Sequence, residues 1–276
     1  MRYRLLLLFL ICGALPLLAA RVDTIAVSSL SMNKVLKNVV VVPDSYQDQK
    51  KRFPVVYLLH GAGDDFDKWI RTVPGIRELA DRHQLIIVCP DGGVTSWYFD
   101  SPVDPSMQYE TYITKELLAE IDGKYRTVAE RNGRAIAGHS MGGHGALFLS
   151  MRHPDLFGAV GSMSGGLDFT GFPENWDLAK RLGSYVEHQK VWEKHTVLHQ
   201  ADQLKGADLR ILMDCGTDDF FLDANQNMHR KLLALGVPHE YTVRPGSHDW
   251  AYWANAIKYQ LLFFETFFLE NMNQQI

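Results

Sequence analysis

Arg134-Ala-Ile-Ala-Gly-His-Ser140-Met-Gly-Gly-His-Gly-Ala-Leu147 is the stretch whose reading decides the fold. Residues 135–137 are a short apolar run, long enough for the end of a buried strand. Gly138-His139-Ser140-Met141-Gly142 fits G-x-S-x-G, and from Gly143 onward Ala146, Leu147, Leu149 and Met151 read as a helix. Strand, sharp turn and helix is the context in which this motif holds a serine hydroxyl at an exposed, strained corner. Gly138 and Gly142 have no Cβ to block the close approach of strand and helix. The helix starts just after the serine, so its free N–H groups point at anything bound there. A Gly-rich turn with Ser140 as an N-cap would use the same five residues, so the flanking chain has to decide.

Downstream, residues 209–214 read as a strand ending in the turn Cys215-Gly-Thr-Asp-Asp219-Phe220. A helix follows over 225–235. Glu240-Tyr-Thr-Val-Arg244 is the last strand, Pro245-Gly-Ser-His248 its turn, and a helix over 249–268 closes the domain. Serine, aspartate and histidine therefore come at successive strand ends, in the order Ser…Asp…His. Serine is a poor nucleophile at neutral pH. A histidine can take its proton and return it to a leaving group, and a carboxylate holds the ring tautomer. The catalytic set read here is Ser140, Asp219 and His248. Asp219 is preferred over its neighbour Asp218 and over Asp214, which lies on the strand itself. His139 and His229 read as packing residues, while His60 and His144 shape the site without taking protons.

Upstream, residues 23–29 and 35–42 read as two strands, and Phe53-Pro-Val-Val-Tyr-Leu-Leu59 as a strand covered on both faces. It ends in His60-Gly61-Ala62-Gly63. A backbone turning at glycine can aim an N–H above the sheet, and an acyl-transfer site needs two such donors for its oxyanion. Ala62 and Met141 are the two expected. A helix over 76–83, a strand over 85–89, a helix over 109–125 and a strand over 157–163 complete an alternation with short loops. The pattern predicts an α/β fold: a mostly parallel central sheet with helices on both faces and ligands at the strand carboxyl ends. Trp97, Tyr98 and Phe99 follow a Gly-Gly turn and either line an acyl or aryl pocket or cap the core. His60, Trp97, Tyr98 and Phe220 are the residues assigned to the substrate pocket.

Residues 167–206 show no clear strand, and 192–204 reads as helical. This is a lid-like insertion in an otherwise single catalytic domain, 21–276. Its His188, His195 and His199 lack a carboxylate-and-histidine set with metal-ligand spacing, so His195 and His199 read as a surface pair and no metal is expected. No H-E-x-x-H, C-x-x-C or phosphate loop occurs. The 276 residues carry a formal charge of −4 without a long basic run, which argues against a nucleic-acid partner. Residues 1–20 have a basic start, an apolar run from Leu5 to Leu18 and small residues at the end, the layout of a cleaved signal peptide. Export to the periplasm or beyond, with no membrane span left after cleavage, is the expectation. Of three cysteines, Cys89 and Cys215 then remain. On the fold that the resemblance given below implies, they lie four strands apart, about 19 Å at ~4.8 Å per strand, far beyond the roughly 7 Å limit of a disulfide. Two free, buried thiols are expected.

With these residues placed, the chain resembles the putative-esterase family of α/β hydrolases, which includes esterase D, small tributyrin esterases, feruloyl esterase domains and, more distantly, the mycolyltransferases. The resemblance spans about residues 22–270. It rests on Leu58-Leu-His-Gly-Ala62, Ser96-Trp-Tyr98 with Asp100-Ser-Pro102, Gly138-His-Ser-Met-Gly-Gly143, Cys215-Gly-Thr-Asp-Asp219 and Gly246-Ser-His248. It implies the α/β-hydrolase fold, a triad at Ser140, Asp219 and His248, oxyanion donors at Ala62 and Met141, and esterase activity without a cofactor. An exported member points to short-chain or hydroxycinnamoyl esters, including acyl groups on carbohydrate. An acyltransferase using a sugar acceptor, or a catalytically silent carbohydrate-binding protein, are the competing readings.

Overall fold

The computed structural model describes residues 20–273, so the expected signal peptide, apart from Ala20, lies outside the described residues. Eight strands form one sheet. They are β1 (Arg21–Ser29), β2 (Lys34–Val42), β3 (Val55–Leu59), β4 (Ile86–Pro90), β5 (Arg134–His139), β6 (Ala159–Met163), β7 (Arg210–Gly216) and β8 (Glu240–Arg244). The spatial order is β1-β2-β4-β3-β5-β6-β7-β8. β2 runs antiparallel to both β1 and β4, and every other pair is parallel. This is the mostly parallel sheet that the strand–helix alternation predicts.

The helices are α1 (Lys68–Thr72), α2 (Ile76–His83), α3 (Tyr109–Thr111), α4 (Leu118–Lys124), α5 (Met141–Arg152), α6 (Leu178–Leu182), α7 (Tyr185–His195), α8 (Val197–Gln200), α9 (Leu222–Leu235) and α10 (Trp250–Asn273). A π-helical segment, Tyr112–Leu117, joins α3 to α4. Among the described residues no helix is long and apolar enough to cross a membrane.

Strand alternation builds a core on each face of the sheet. Val55, Tyr57 and Leu59 of β3 point into one core, together with side chains of α4, α5, α9 and the 167–206 segment. Val56 and Leu58 point into the other, with Ile76 and Leu79 of α2 and the apolar face of α10. α5 is buried along almost its whole length, Met141 to Met151. That is why its sequence lacks a polar stripe: the helix is covered all round rather than half-exposed.

The 167–206 segment departs from its expected outline. Instead of one helix over 192–204, α7 begins at Tyr185 and ends at His195, and buried Thr196 separates it from the short α8. Leu178, Leu182, Trp192 and Val197 are each wholly buried, so the segment is anchored in the core. His195 is not the surface residue expected. Its ring packs on Phe99 at 4.9 Å and on Phe148 at 6.0 Å, whereas His199 is exposed.

Cys89 lies on β4 and Cys215 on β7, four places apart in the strand order, and both are free and buried. Burial also pushes both thiol pKa values up, which starves them of the reactive thiolate. Alkylation of the native protein is therefore expected to leave both unmodified and to label both in guanidinium. Peptide mapping that finds either modified in the native state contradicts this packing.

Candidate active site

The site is assembled where β3, β5, β7 and β8 end. At the end of β5 the chain turns into α5 through Ser140, whose backbone lies at φ 54° and ψ −118°. A non-glycine residue held there carries about 1–3 kcal/mol of strain, which persists only if the surroundings enforce it. They do so here. Ser140 N–H donates to Met163 C=O at 3.0 Å, and Ser140 C=O accepts from Gly166 N–H at 3.1 Å. A Cβ on Gly138 would come within 2.5 Å of the Gly142 backbone, and one on Gly142 within 2.6 Å of Leu59 C=O. Strand and helix close on the serine only because both positions are glycine.

His248 comes from the turn after β8 and Asp219 from the turn after β7. The two turns lie against each other. Asp218 N–H donates to Gly246 C=O at 2.9 Å, and a Cβ on Gly216 would reach 2.2 Å from that same oxygen. His248 Nε2 lies 2.8 Å from Ser140 Oγ, and His248 Nδ1 lies 2.9 and 3.0 Å from the Asp219 oxygens. A carboxylate only accepts, so Nδ1 carries the proton and Nε2 presents its lone pair to the serine hydroxyl. Asp219 Oδ1 also accepts Phe221 N–H at 2.8 Å, and its side chain is sealed from solvent.

The other acids and histidines are placed elsewhere. Asp218 is exposed. Asp214 is buried within β7, accepts from Gln260 Nε2 at 2.8 Å and lies 3.7 Å from the Arg244 guanidinium. Burial raises its pKa to about 6. His229, on α9, bonds His239 at 2.7 Å. His139 stacks on Trp253 at 4.2 Å and accepts Gly61 N–H at 3.0 Å, and burial pushes its pKa down to about 4. His144 is enclosed between Trp97 C=O at 3.1 Å and His195 C=O at 2.8 Å, with its pKa lowered by burial to about 4.

Ala62 lines the same cleft as Ser140, Met141 follows Ser140 as the first residue of α5, and neither backbone N–H donates to another group among the described residues. The loop carrying Ala62 is held from behind. His60 Nε2 accepts Gly92 N–H at 2.8 Å, so His60 Nδ1–H is the atom that donates to Gly61 C=O at 2.8 Å. Burial lowers the His60 pKa and keeps that ring neutral. Tyr98 Oη accepts His60 N–H at 3.0 Å and donates to His60 C=O at 3.1 Å.

The cleft in front of Ser140 has a volume of about 360 Å³. Its walls are Trp176, Phe220, Trp250 and Trp253, with Asp64 and Asp249 at its polar margin. Phe220 lines it as expected, but His60, Trp97 and Tyr98 do not. Trp97 and Tyr98 adopt φ 57° and 59°, which turns both rings inward, where they are 1% and 0% exposed. Trp97 then packs on Phe169 at 4.9 Å and on Trp176 at 5.9 Å, one layer behind the cleft. Sequence reasoning missed Trp176, Trp250 and Trp253. Trp250 and Trp253 carried a legible signal, since they follow His248 on the first turn of a predicted helix and therefore rise beside it. A larger hollow of about 640 Å³ lies around Arg21, Tyr46 and Arg126, at the opposite end of the sheet from Ser140.

The chain belongs to the putative esterase family: the profile of that family matches residues 29–264. It is 32% identical over 238 residues to an esterase of Mycobacterium tuberculosis, covering 76% of this chain and 51% of the relative. This chain thus spans about half the length of that curated relative. It is 26% identical over 222 residues to an acetyl esterase of Caldicellulosiruptor saccharolyticus, covering 74% of this chain and 82% of the relative. Among solved structures, a ferulic acid esterase superposes with a TM-score of 0.76 at 31% identity, covering 91% of this chain and all of that one. The fold is the α/β-hydrolase fold.

Two substitutions separate the roles read from this geometry. Asp219→Asn is expected to lower kcat on an activated ester by roughly 10³–10⁴, while Asp218→Asn stays close to wild type; the reverse order would move the acid to Asp218. Tyr98→Phe strips the partner from two buried His60 backbone groups, which costs about 1–3 kcal/mol of stability. It is expected to reduce kcat about tenfold with KM little changed, because the loop carrying Ala62 loses its fixed position. A change in KM alone would place Tyr98 in the substrate pocket after all.

Proposed function

We propose, from this family membership and this site, that the protein is an exported serine carboxylesterase acting by an acyl-enzyme mechanism. The observation that carries the reading is the continuous relay from Asp219 through His248 to Ser140, ending at a serine beside two unpaired N–H groups. The ester carbonyl binds with its oxygen towards Ala62 N–H and Met141 N–H. Ser140 Oγ attacks the carbonyl carbon as its proton passes to His248 Nε2. The tetrahedral oxyanion is held by the two N–H groups, and Asp219 stabilises the imidazolium through Nδ1. His248 then gives the proton to the departing alkoxide, leaving the acyl group on Ser140. Water, deprotonated by His248, attacks the acyl-enzyme, and collapse of the second intermediate releases the acid and restores Ser140. No cofactor enters this sequence.

The substrate reading rests on the cleft. Its volume lies near the lower end of the range for small-molecule sites, about 300–1,000 Å³. Four aromatic walls offer stacking surfaces to a planar acyl group or to a sugar ring. The carboxylates of Asp64 and Asp249 can accept hydrogen bonds from hydroxyl groups. Short-chain and hydroxycinnamoyl esters, including acyl groups on carbohydrate, fit these features. The names of two relatives, an acetyl esterase and a ferulic acid esterase, point the same way. Export is inferred from residues 1–20 alone, with a cut after Ala20 leaving a mature net charge of −6, since Arg2 and Arg4 leave a chain of −4.

Initial rates on an aryl acetate and on methyl ferulate, measured side by side, test the reading. Turnover of both is expected, with loss of at least about 10³-fold in Ser140→Ala. The Ser140→Ala protein is expected to melt no lower than wild type, because a strained position is not weakened by losing a hydroxyl. Turnover of acetate alone would narrow the substrate to small acyl groups. Turnover retained in Ser140→Ala would overturn the mechanism, and product that appears only with an added sugar acceptor would make the protein a transferase.

A further inference from the structure

The cleft at Ser140 has two flanks of different chemistry. On one flank Trp250 and Trp253 of α10 stand with Asp249 and Asp64. Lys68 ties that flank together, lying 3.7 Å from the Asp64 carboxylate and 5.7 Å over the Trp250 ring. Trp176 and Phe220 form the other flank, with near-parallel rings at 16° and centroids 6.1 Å apart. Among the described residues, His248 is the ring that contacts both, 4.2 Å from Phe220 and 5.0 Å from Trp253.

This division sorts the two halves of an ester. Carboxylates accept hydrogen bonds from hydroxyl groups, so the first flank suits an alcohol rich in them. A planar conjugated acyl chain needs an aromatic face instead. The second flank offers that face and adds no carboxylate or cation to the lining. Phe220 is 53% exposed, so the pair presents an open aromatic surface beside the nucleophile.

Trp176 is the one residue of the 167–206 segment that lines this cleft, and its backbone is strained where it does so. Trp176 has φ 48° and Asp177 φ 56°, two left-handed residues in succession without a glycine. Aspartate tolerates that region, but a bulky side chain there is a rare outlier. It persists only where the surroundings enforce it. The loop after β4 does so here. Thr95 Oγ1–H donates to Asp177 Oδ2 at 3.0 Å, and Trp97 Nε1–H donates to Trp176 C=O at 3.4 Å. Asp177 C=O accepts the N–H groups of Lys180 and Arg181 at 2.9 and 3.1 Å. Arg181 Nε–H then returns to Thr95 C=O at 3.2 Å, which fastens the corner to that loop a second time.

We propose that Trp176 is the specificity-determining residue for a hydroxycinnamoyl acyl group, and that Asp177 is the positioning residue that holds it against Phe220. The inference rests on the esterase reading above and names the residue that selects the acyl group within it. The planar acyl group lies on the Trp176–Phe220 face with its carbonyl at Ser140. The alcohol leaves past His248 on the flank of Asp249 and Trp250. The inserted segment thereby serves as a fixed wall rather than a moving cover. When the corner at Asp177 relaxes, the indole moves away from Phe220 and the aromatic face is lost.

Steady-state kinetics on methyl ferulate and on an aryl acetate test the proposal, because the first carries its ring on the acyl side and the second on the leaving side. The quantity read is the ratio of kcat/KM for methyl ferulate to kcat/KM for the acetate. Trp176→Leu removes the planar face and is expected to lower the ratio roughly tenfold, mainly through KM for the ferulate. Asp177→Ala frees the corner and is expected to lower it by a similar factor. Asp177→Asn keeps an oxygen for Thr95 and tolerates the left-handed backbone, so it is expected to stay within roughly twofold of wild type. Circular dichroism and the thermal midpoint check folding. Trp176 is only partly buried, so its variant keeps the test valid should Asp177→Ala unfold. A ratio unchanged in folded Trp176→Leu overturns the role of Trp176, and one unchanged in folded Asp177→Ala overturns that of Asp177. A raised ratio would place the pair on the alcohol side and overturn the assignment. Wild-type turnover of the acetate without the ferulate overturns this proposal and leaves the esterase reading standing; turnover of neither overturns both.

Discussion

The backbone of Ser140 lies in a region that a side chain seldom tolerates, and the rest of the structure is arranged to hold it there. Tight contact between Gly138, Gly142 and the end of β3 leaves no room for the chain to relax. Hydrogen bonds from the Ser140 peptide to Met163 and Gly166 fasten the corner to β6 and the turn after it. The burial of α5 on all sides keeps the helix from tilting away. Strain at one residue is thus offset by burial spread over two cores, the usual relation between a functional outlier and its scaffold.

From that corner the remaining groups follow by adjacency in the sheet. β3 lies beside β5, so the loop after Leu59 passes next to Ser140 and brings the Ala62 N–H with it. β7 and β8 lie two and three places from β5. Their turns reach back over β6, and the close fit of Gly216 against Gly246 sets the distance between Asp219 and His248. Histidines dominate this region, yet burial holds His60, His139 and His144 towards the neutral form. His60 and His139 serve as ring-shaped spacers that fix the loop carrying Ala62, while His144 ties α5 to α7.

The parallel core and the meeting of Ser140, Asp219 and His248 were legible because each depends on local rules. Apolar runs mark buried strands and glycine turns mark their ends, while the distance between Cys89 and Cys215 needed the strand order that the family resemblance implies. What could not be read depends on direction rather than pattern. Trp97 and Tyr98 follow a Gly-Gly turn, as pocket-lining aromatics do, but their positive φ values send the rings inward. Tyr98 then serves His60 from behind, and the wall of the cleft falls to Trp176, Trp250 and Trp253. The break at Thr196 was hidden for a similar reason. Its hydroxyl donates to Trp192 C=O at 2.8 Å inside the core, a tertiary arrangement that no propensity announces.

The central claim is that Ser140 is activated by its position, through His248 and Asp219. Labelling with a fluorophosphonate, followed by intact mass and peptide mapping, reads that activation without presuming any substrate. The account predicts one adduct per chain, located on Ser140, formed quickly in wild type and slowed by orders of magnitude in His248→Ala. A folded wild-type protein that takes up no label, or one labelled at Ser140 as fast without His248 as with it, would contradict the account.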